Sequence, residues 1–158
     1  KDNVVEFKIP GVQIDLGAFA KGYALDCVVK KLKEYKIDDC LINAGGQVYA
    51  LGDKLGQSWR IAIRGAVKPE IAQTLELRNK SVSTSGNYEQ FFLKNGLRYC
   101  HILDPRTGYP AFTQITSVTV VADQGLVADA LSTSLFVLGK KDAPEILNKF
   151  PNVLVKIY

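Results

Sequence analysis

The middle of the chain runs Tyr88-Glu89-Gln90-Phe91-Phe92-Leu93-Lys94-Asn95-Gly96-Leu97-Arg98-Tyr99-Cys100-His101-Ile102-Leu103. Two extended runs, residues 88–93 and 97–103, flank Asn95-Gly96. That dipeptide suits a tight hairpin turn, because both central positions of a type I′ turn need positive φ. Adjacent strands joined this way are antiparallel. On the upstream side, residues 74–78 and 81–84 are spaced as hairpin partners across Asn79-Lys80, and residues 58–64 alternate through Trp59, Ile61 and Ile63. Residues 40–42 and 48–51 read as strands on either side of Asn43-Ala44-Gly45-Gly46, and residues 4–9 and 12–16 as two short ones parted by Pro10-Gly11. Further on, residues 115–121 are rich in β-branched side chains and residues 153–157 close the chain as a strand, while residues 104–110 are expected to be irregular.

Three helices complete the reading. Ala20, Ala24, Val28, Leu32 and Tyr35 share one helical face, so residues 18–35 form the first, with its start near Gly17 and Asp15 as a capping residue. Gly22 lies inside it at a cost of ~1 kcal/mol relative to alanine, which implies that backbone or ligand comes close there. Residues 128–138 form the second and stop at Gly139. Asp142 caps the third, with Pro144 in its first turn, running to about Phe150. Hairpins and separate helical blocks predict an α+β fold, a largely antiparallel sheet packed with three main helices. With no repeat or linker, residues 1–158 are expected as a single unit.

The composition restricts function. The chain has 158 residues, 47% of them hydrophobic and 23% charged, which suits a packed core rather than disorder. Twenty Lys and Arg against 16 Asp and Glu leave a net charge of +4, which favours an anionic small molecule. Lys30, Lys31, Lys33 and Lys36 are interleaved with Glu34, Asp38 and Asp39, so no concentrated basic face marks a nucleic-acid reader. No apolar run approaches the ~18 residues of a membrane span. Cys27, Cys40 and Cys100 form no C-x-x-C pair and read as buried free thiols; with His101 the lone histidine, a zinc site is not expected. No charged-then-apolar leader follows Lys1, which reads as a processed or trimmed start.

Four stretches place small and polar residues where a core would want bulk. Asp15 to Tyr23 joins a strand to a helix; helix N-termini attract phosphate, and Lys21 adds a point charge, although an ordinary glycine-rich joint looks the same. The paired glycines Gly45 and Gly46, after Asn43, let a ligand approach the backbone, or form a plain turn. Ser85, His101 and Asp104 invite a nucleophilic-triad reading, weakened because no glycine precedes Ser85. His101 also stands directly before the irregular segment Asp104-Pro105-Arg106-Thr107-Gly108. Asp129 and Thr133, four residues apart on a helix, put two oxygens on one face, a donor pair suited to Mg²⁺ or to capping and back-bonding within the helix.

In order and spacing these stretches resemble the ApbE-type FAD:protein FMN transferases, or flavin transferases. The resemblance rests on Asp15-Leu16-Gly17-x-x-Ala20-Lys21-Gly22-Tyr23-Ala24-x-Asp26, Asn43-Ala44-Gly45-Gly46, Thr84-Ser85-Gly86-x-Tyr88, His101-Ile102-x-Asp104-Pro105-Arg106-Thr107-Gly108-x-Pro110 and Ala128-Asp129-Ala130-Leu131-Ser132-Thr133. It implies a Mg²⁺-dependent enzyme that splits FAD, releases AMP and esterifies FMN to a threonine of an acceptor flavoprotein in a membrane redox complex. Hydrolysis of FAD to FMN and AMP, or flavin binding without catalysis, are the alternatives. Position by position, it assigns metal binding to the side chains of Asp129 and Thr133 with backbone oxygens of Ala20 and Ser132, and the role of base to His101. It places Tyr23, Leu103 and the Ser85-Gly86 turn along the FAD site. Asp104 is expected as a catalytic residue with His101, and Lys21, Asn43, Gly45 and Gly46 as binding residues for FAD. Residues 1–158 would then be a catalytic core without the family's N-terminal part. It would act on the outer side of the cytoplasmic membrane, held there only by a tether outside this sequence.

Overall fold

The computed structural model describes residues 4–65 and 70–158. Along the chain come α1 (Ala20–Glu34), β1 (Cys40–Ala44), β2 (Gln47–Leu51), β3 (Trp59–Arg64), β4 (Ile71–Leu77), β5 (Lys80–Gly86), β6 (Phe91–Lys94), β7 (Leu97–Cys100), β8 (Leu103–Asp104), β9 (Tyr109–Pro110), β10 (Ser117–Ala122), α2 (Gly125–Leu147) and β11 (Leu154–Ile157). Five strands form the main sheet in the order β1-β2-β5-β10-β11, every neighbouring pair antiparallel. The α+β class with antiparallel pairing expected from the hairpin signals is present.

Two turns carry the local logic. Gly45 and Gly46, at φ 58° and 92°, close β1 onto β2 with Ala44 opposite Gln47. Asn95 and Gly96, at φ 52° and 76°, close β6 onto β7 with Lys94 opposite Leu97. Both pairs are positive at the two central residues, as type I′ geometry demands.

The central strand β5 sorts the layers. Its sequence alternates Ser81, Ser83 and Ser85 with Val82 and Thr84, so all three serines share one face. Val82 faces the other way, packed with Val48, Ala50 and Val121 of the sheet and with Ile61, Ile63, Leu75 and Leu77 of the β3–β4 ribbon. On the serine side, Leu131, Leu135 and Phe136 of α2 pack onto Val118 and Val120. There too, Leu25 and Val29 of α1 meet Tyr49 and Leu51. The helices therefore cover the face that carries the serine row, and the ribbon covers the opposite one.

Several expectations are corrected. The sequence predicts three helices and the structure has two, because the second and third run on as α2 across a single non-helical residue, Gly139, at φ 81° and ψ 176°. Gly139 adopts that positive φ without a Cβ penalty, and Pro144 lies in the segment that follows it. Residues 74–78 and 81–84 are not hairpin partners; β4 pairs with β3, while β5 pairs with β2 and β10. Asn79, at φ 52°, turns the chain from one layer to the other. Residues 4–9 and 12–16 form no strand, since no neighbouring strand among the described residues offers them backbone partners. Residues 104–110 do include regular structure, the short pair β8–β9. Cys100 is buried and Cys40 half-buried, but Cys27 is exposed on the outer side of α1. No helix among the described residues is long and apolar enough to cross a membrane.

Candidate active site

The site begins where the two helices meet. Asp26 of α1 caps α2 from outside it, accepting hydrogen bonds from the backbone amides of Gly125 at 2.6 Å and Leu126 at 2.9 Å. These amides are orphaned at a helix start and favour a carboxylate. Contact between the helices is close enough to require glycine on both sides. A Cβ on Gly22 would stand 2.2 Å from the Gly125 carbonyl oxygen, and one on Gly125 would stand 2.6 Å from that of Gly22. The expectation of a close approach at Gly22 is met by backbone. Asp15 does not cap α1 at its N-cap, Phe19; its carboxylate accepts from the Gly17 amide at 2.6 Å.

This contact delivers Asp129, in the second turn of α2, to the start of α1. Asp129 is 2% exposed. Its Oδ2 accepts from the Gly22 amide at 2.9 Å, and its Oδ1 from Ser83 Oγ at 3.2 Å. Lys21 Nζ lies 3.6 Å from Oδ1, on a side chain still 46% exposed. A buried carboxylate is tolerable only with such partners. Below it runs a hydroxyl row. Ser132 Oγ lies 2.9 Å from the Asp129 carbonyl oxygen and 3.3 Å from Ser83 Oγ, either of which can take its single proton. Ser85 Oγ lies 2.9 Å from Ser132 Oγ and 3.0 Å from Thr133 Oγ1. The alternating serines of β5 therefore meet the Asp129-x-x-Ser132-Thr133 face of α2 hydroxyl to hydroxyl.

Lys21, Ser83, Ser85, Asp129 and Thr133 line a cavity of about 1060 Å³. Small-molecule sites span about 300–1,000 Å³, so this one accepts a ligand of dinucleotide size. Lys21, Asn43, Gly45 and Gly46 form part of its wall, as do Ser85, Gly86, His101, Leu103, Asp129 and Thr133. Asn43 Oδ1 accepts from the Gly46 amide at 2.9 Å, so Asn43 braces the glycine turn. His101 follows β7 directly. Both its backbone amide and its Nδ1 lie 3.1 Å from the Gln90 carbonyl oxygen. A carbonyl accepts only, so Nδ1 carries the proton and Nε2 keeps a free lone pair.

Other sequence candidates lie elsewhere. Asp104 is outside the cavity lining, its carboxylate spent on Arg106, which donates from its backbone amide at 2.9 Å, from Nε at 2.9 Å and from Nη2 at 2.7 Å. Those side-chain hydrogen bonds, then the backbone one, hold the Asp104 carboxyl below the usual range. Its carbonyl also accepts from the Gly108 amide at 2.8 Å, so this residue builds the turn after His101 and does not touch the site. Tyr23 is 60% exposed and outside the lining, as are Ala20 and Ser132, the latter buried beneath it. Three lining groups have no counterpart in the sequence reading. Gln47 is a polar residue fully buried in β2, a departure from strand patterning that could have signalled it. Gln90 acts through its backbone, which residue type cannot reveal. Arg64 pairs with Glu89 and lies 4.8 Å from the Tyr88 ring centroid, a contact between β3 and the turn after β5.

The ApbE family profile matches residues 1–157. This chain belongs to the ApbE family. The FAD:protein FMN transferase of Treponema pallidum is 40% identical over 164 residues, covering 96% of this chain and 45% of that protein. Its counterpart in Rhodobacter capsulatus is 44% identical over 138 residues, covering 87% and 26% respectively. Among solved structures, the ApbE protein of Thermotoga maritima superposes with a TM-score of 0.84 at 39% identity, covering 94% of this chain and 49% of that one. The flavin transferase ApbE of Vibrio cholerae gives 0.81 at 32% identity, covering 94% and 48%. The chain thus spans about half the length, or less, of these ApbE relatives.

Proposed function

We propose that this chain is the catalytic core of an FAD:protein FMN transferase, moving FMN from FAD to a threonine hydroxyl of an acceptor flavoprotein and releasing AMP. One observation carries the reading. A buried, hydrogen-bonded carboxylate, Asp129, opens with Thr133 into the same large cavity as a histidine whose Nε2 is free to accept a proton.

The donor set fits Mg²⁺. Asp129 and Thr133 offer hard oxygens on one face of α2, and by the family resemblance the carbonyls of Ala20 in α1 and Ser132 in α2 would join them. No group of three His, Cys, Asp or Glu among the described residues could hold a metal by itself. Mg²⁺ is commonly bound by one or two carboxylates with substrate phosphates completing its shell, so a single acid suits it. When bound, the ion would neutralise the pyrophosphate and stabilise the charge that develops on the departing AMP.

The remaining steps belong to the chain's own residues. Lys21, at the mouth of α1, can turn from Asp129 toward an incoming phosphate. The helix start around it presents partial positive charge to the same group. Gly45, held at φ 58° by the turn, stands beside Lys21 in the same wall. His101 Nε2 accepts the proton of the acceptor hydroxyl as its oxygen bonds to the FMN phosphorus and the bond to AMP breaks. A base so placed supplies typically ~10²–10⁴-fold. An acceptor in a membrane redox complex, and action on the outer side of the cytoplasmic membrane, are supported by the family resemblance.

The test mixes the chain with FAD, Mg²⁺ and a threonine-bearing acceptor, and scores AMP release together with flavin fluorescence on the acceptor in a denaturing gel. Both signals are expected. AMP without labelled acceptor would make the protein an FAD pyrophosphatase, and flavin binding without AMP would overturn catalysis altogether.

A further inference from the structure

Gln47 opens β2 directly after the glycine turn and is 2% exposed. Its Nε2 donates to the Gly125 carbonyl at 2.9 Å. Since that carbonyl can only accept, the amide orientation is fixed, and Oε1 is left buried without a partner among the described residues. A buried acceptor lacking a donor is destabilising. Gln47 belongs to the wall of the cavity into which Asp129 and Thr133 also open.

The position of this oxygen points to the kind of partner. In helix α2 the Gly125 carbonyl faces the amide of the residue four positions on, which is Asp129. The Gln47 amide therefore sits against the backbone of the residue that carries the buried carboxylate. Around that carboxylate the balancing charge is Lys21, 3.6 Å away and half in solvent. A neutral donor would satisfy Oε1 alone, whereas a cation would satisfy both oxygens.

We infer that Gln47 Oε1 is an oxygen donor toward the divalent cation held at Asp129, directly or through one of the ion's waters. This rests on the reading of Asp129 as the metal position. Because the amide is uncharged, the ion is held weakly by the protein alone and firmly once the dinucleotide phosphates join it.

Mn²⁺ is the probe, its free-ion electron paramagnetic resonance signal titrated against protein with and without saturating FAD. Gln47→Leu is expected to weaken Mn²⁺ binding about tenfold or more, the range for lost outer partners of a metal. Gln47→Glu, which adds a charge at the same oxygen, is expected to tighten it and to make it less dependent on FAD. Affinity within about twofold of the parent in Gln47→Leu, far below that range, would overturn the inference. If Gln47→Leu does not fold, as circular dichroism would reveal, Gln47→Glu decides, and binding no tighter than the parent's overturns it. Asp129→Asn separates the two readings. Loss of Mn²⁺ there with no effect at Gln47 removes only the role of Gln47, and full binding there removes the metal position itself.

Discussion

The Gly22 amide donates to Asp129 Oδ2 at 2.9 Å across 107 positions of sequence. The bond exists because α1 and α2 touch backbone to backbone at Gly22 and Gly125, and because Asp26 fastens the start of α2 from the far side. Fold and site share this joint: what packs the helices also presents the carboxylate.

Gly22→Ala tests the joint. Alanine in a helix interior is ordinarily favoured by ~1 kcal/mol over glycine, so an uncrowded site would gain stability. Here the new methyl meets a backbone oxygen at 2.2 Å, which no rotamer change relieves. The expected result is a loss of about 1–3 kcal/mol, the usual cost of overpacking, read by urea denaturation, with a parallel fall in Mg²⁺-dependent AMP release. A stabilised variant would show that the helices do not meet in this way.

Asp129→Asn keeps the shape and removes the charge. The Gly22 amide keeps the asparagine oxygen as acceptor and the Ser83 hydroxyl can turn to accept from the new amide nitrogen, so the fold is expected to persist by circular dichroism. Mg²⁺-dependent AMP release should fall by more than the about 10–100-fold that outer partners of a metal cost. Activity near the parent's would exclude this carboxylate from the reaction.

Asp104 and Arg106 give a pH signature. The guanidinium holds the Asp104 carboxyl below its usual 3.8 in the folded chain. A carboxyl depressed by folding contributes stability above its ordinary value, and the contribution is lost as pH falls through the folded one. Thermal melts on acidification should show Arg106→Gln already less stable at neutral pH. Below that window its gap from the parent should narrow. A constant gap across the range would mean that the pair does not couple folding to protonation.

Much of this was legible before any coordinates. Asn95-Gly96 and Gly45-Gly46 announced their turns because only a few residues accept positive φ, and the i, i+4 spacing of Asp129 and Thr133 placed their oxygens together whatever the tertiary context. Residue type does not reveal which sheet a strand enters, so the Thr74–Arg78 run reads as a hairpin partner of β5 although it pairs with β3. That choice depended on Leu75 and Leu77 finding Ile61 and Ile63, and on the β5 serines finding Ser132 and Thr133. Asp104 looked catalytic beside His101, but a neighbouring arginine claimed it, a competition decided by side-chain geometry. Gln47 was overlooked because its polarity matters only once its strand is known to be buried.

His101→Ala carries the last prediction, and it follows from the tautomer. The Gln90 carbonyl lies 3.1 Å from Nδ1 and takes its proton, which leaves the Nε2 lone pair unused on a residue of the cavity wall. Removing the imbalance between the two nitrogens, rather than the ring's bulk, is what should matter. FMN transfer to the acceptor is therefore expected to drop about 10²–10⁴-fold in His101→Ala, the usual contribution of a positioned base. His101→Gln, which restores bulk but accepts a proton poorly, should not recover it. FAD affinity, followed by flavin fluorescence quenching, should stay close to the parent's in both, because the phosphate-facing groups Lys21 and Asp129 are untouched. Recovery by glutamine would assign His101 to shaping the cavity, and the proton would then have to leave by another group.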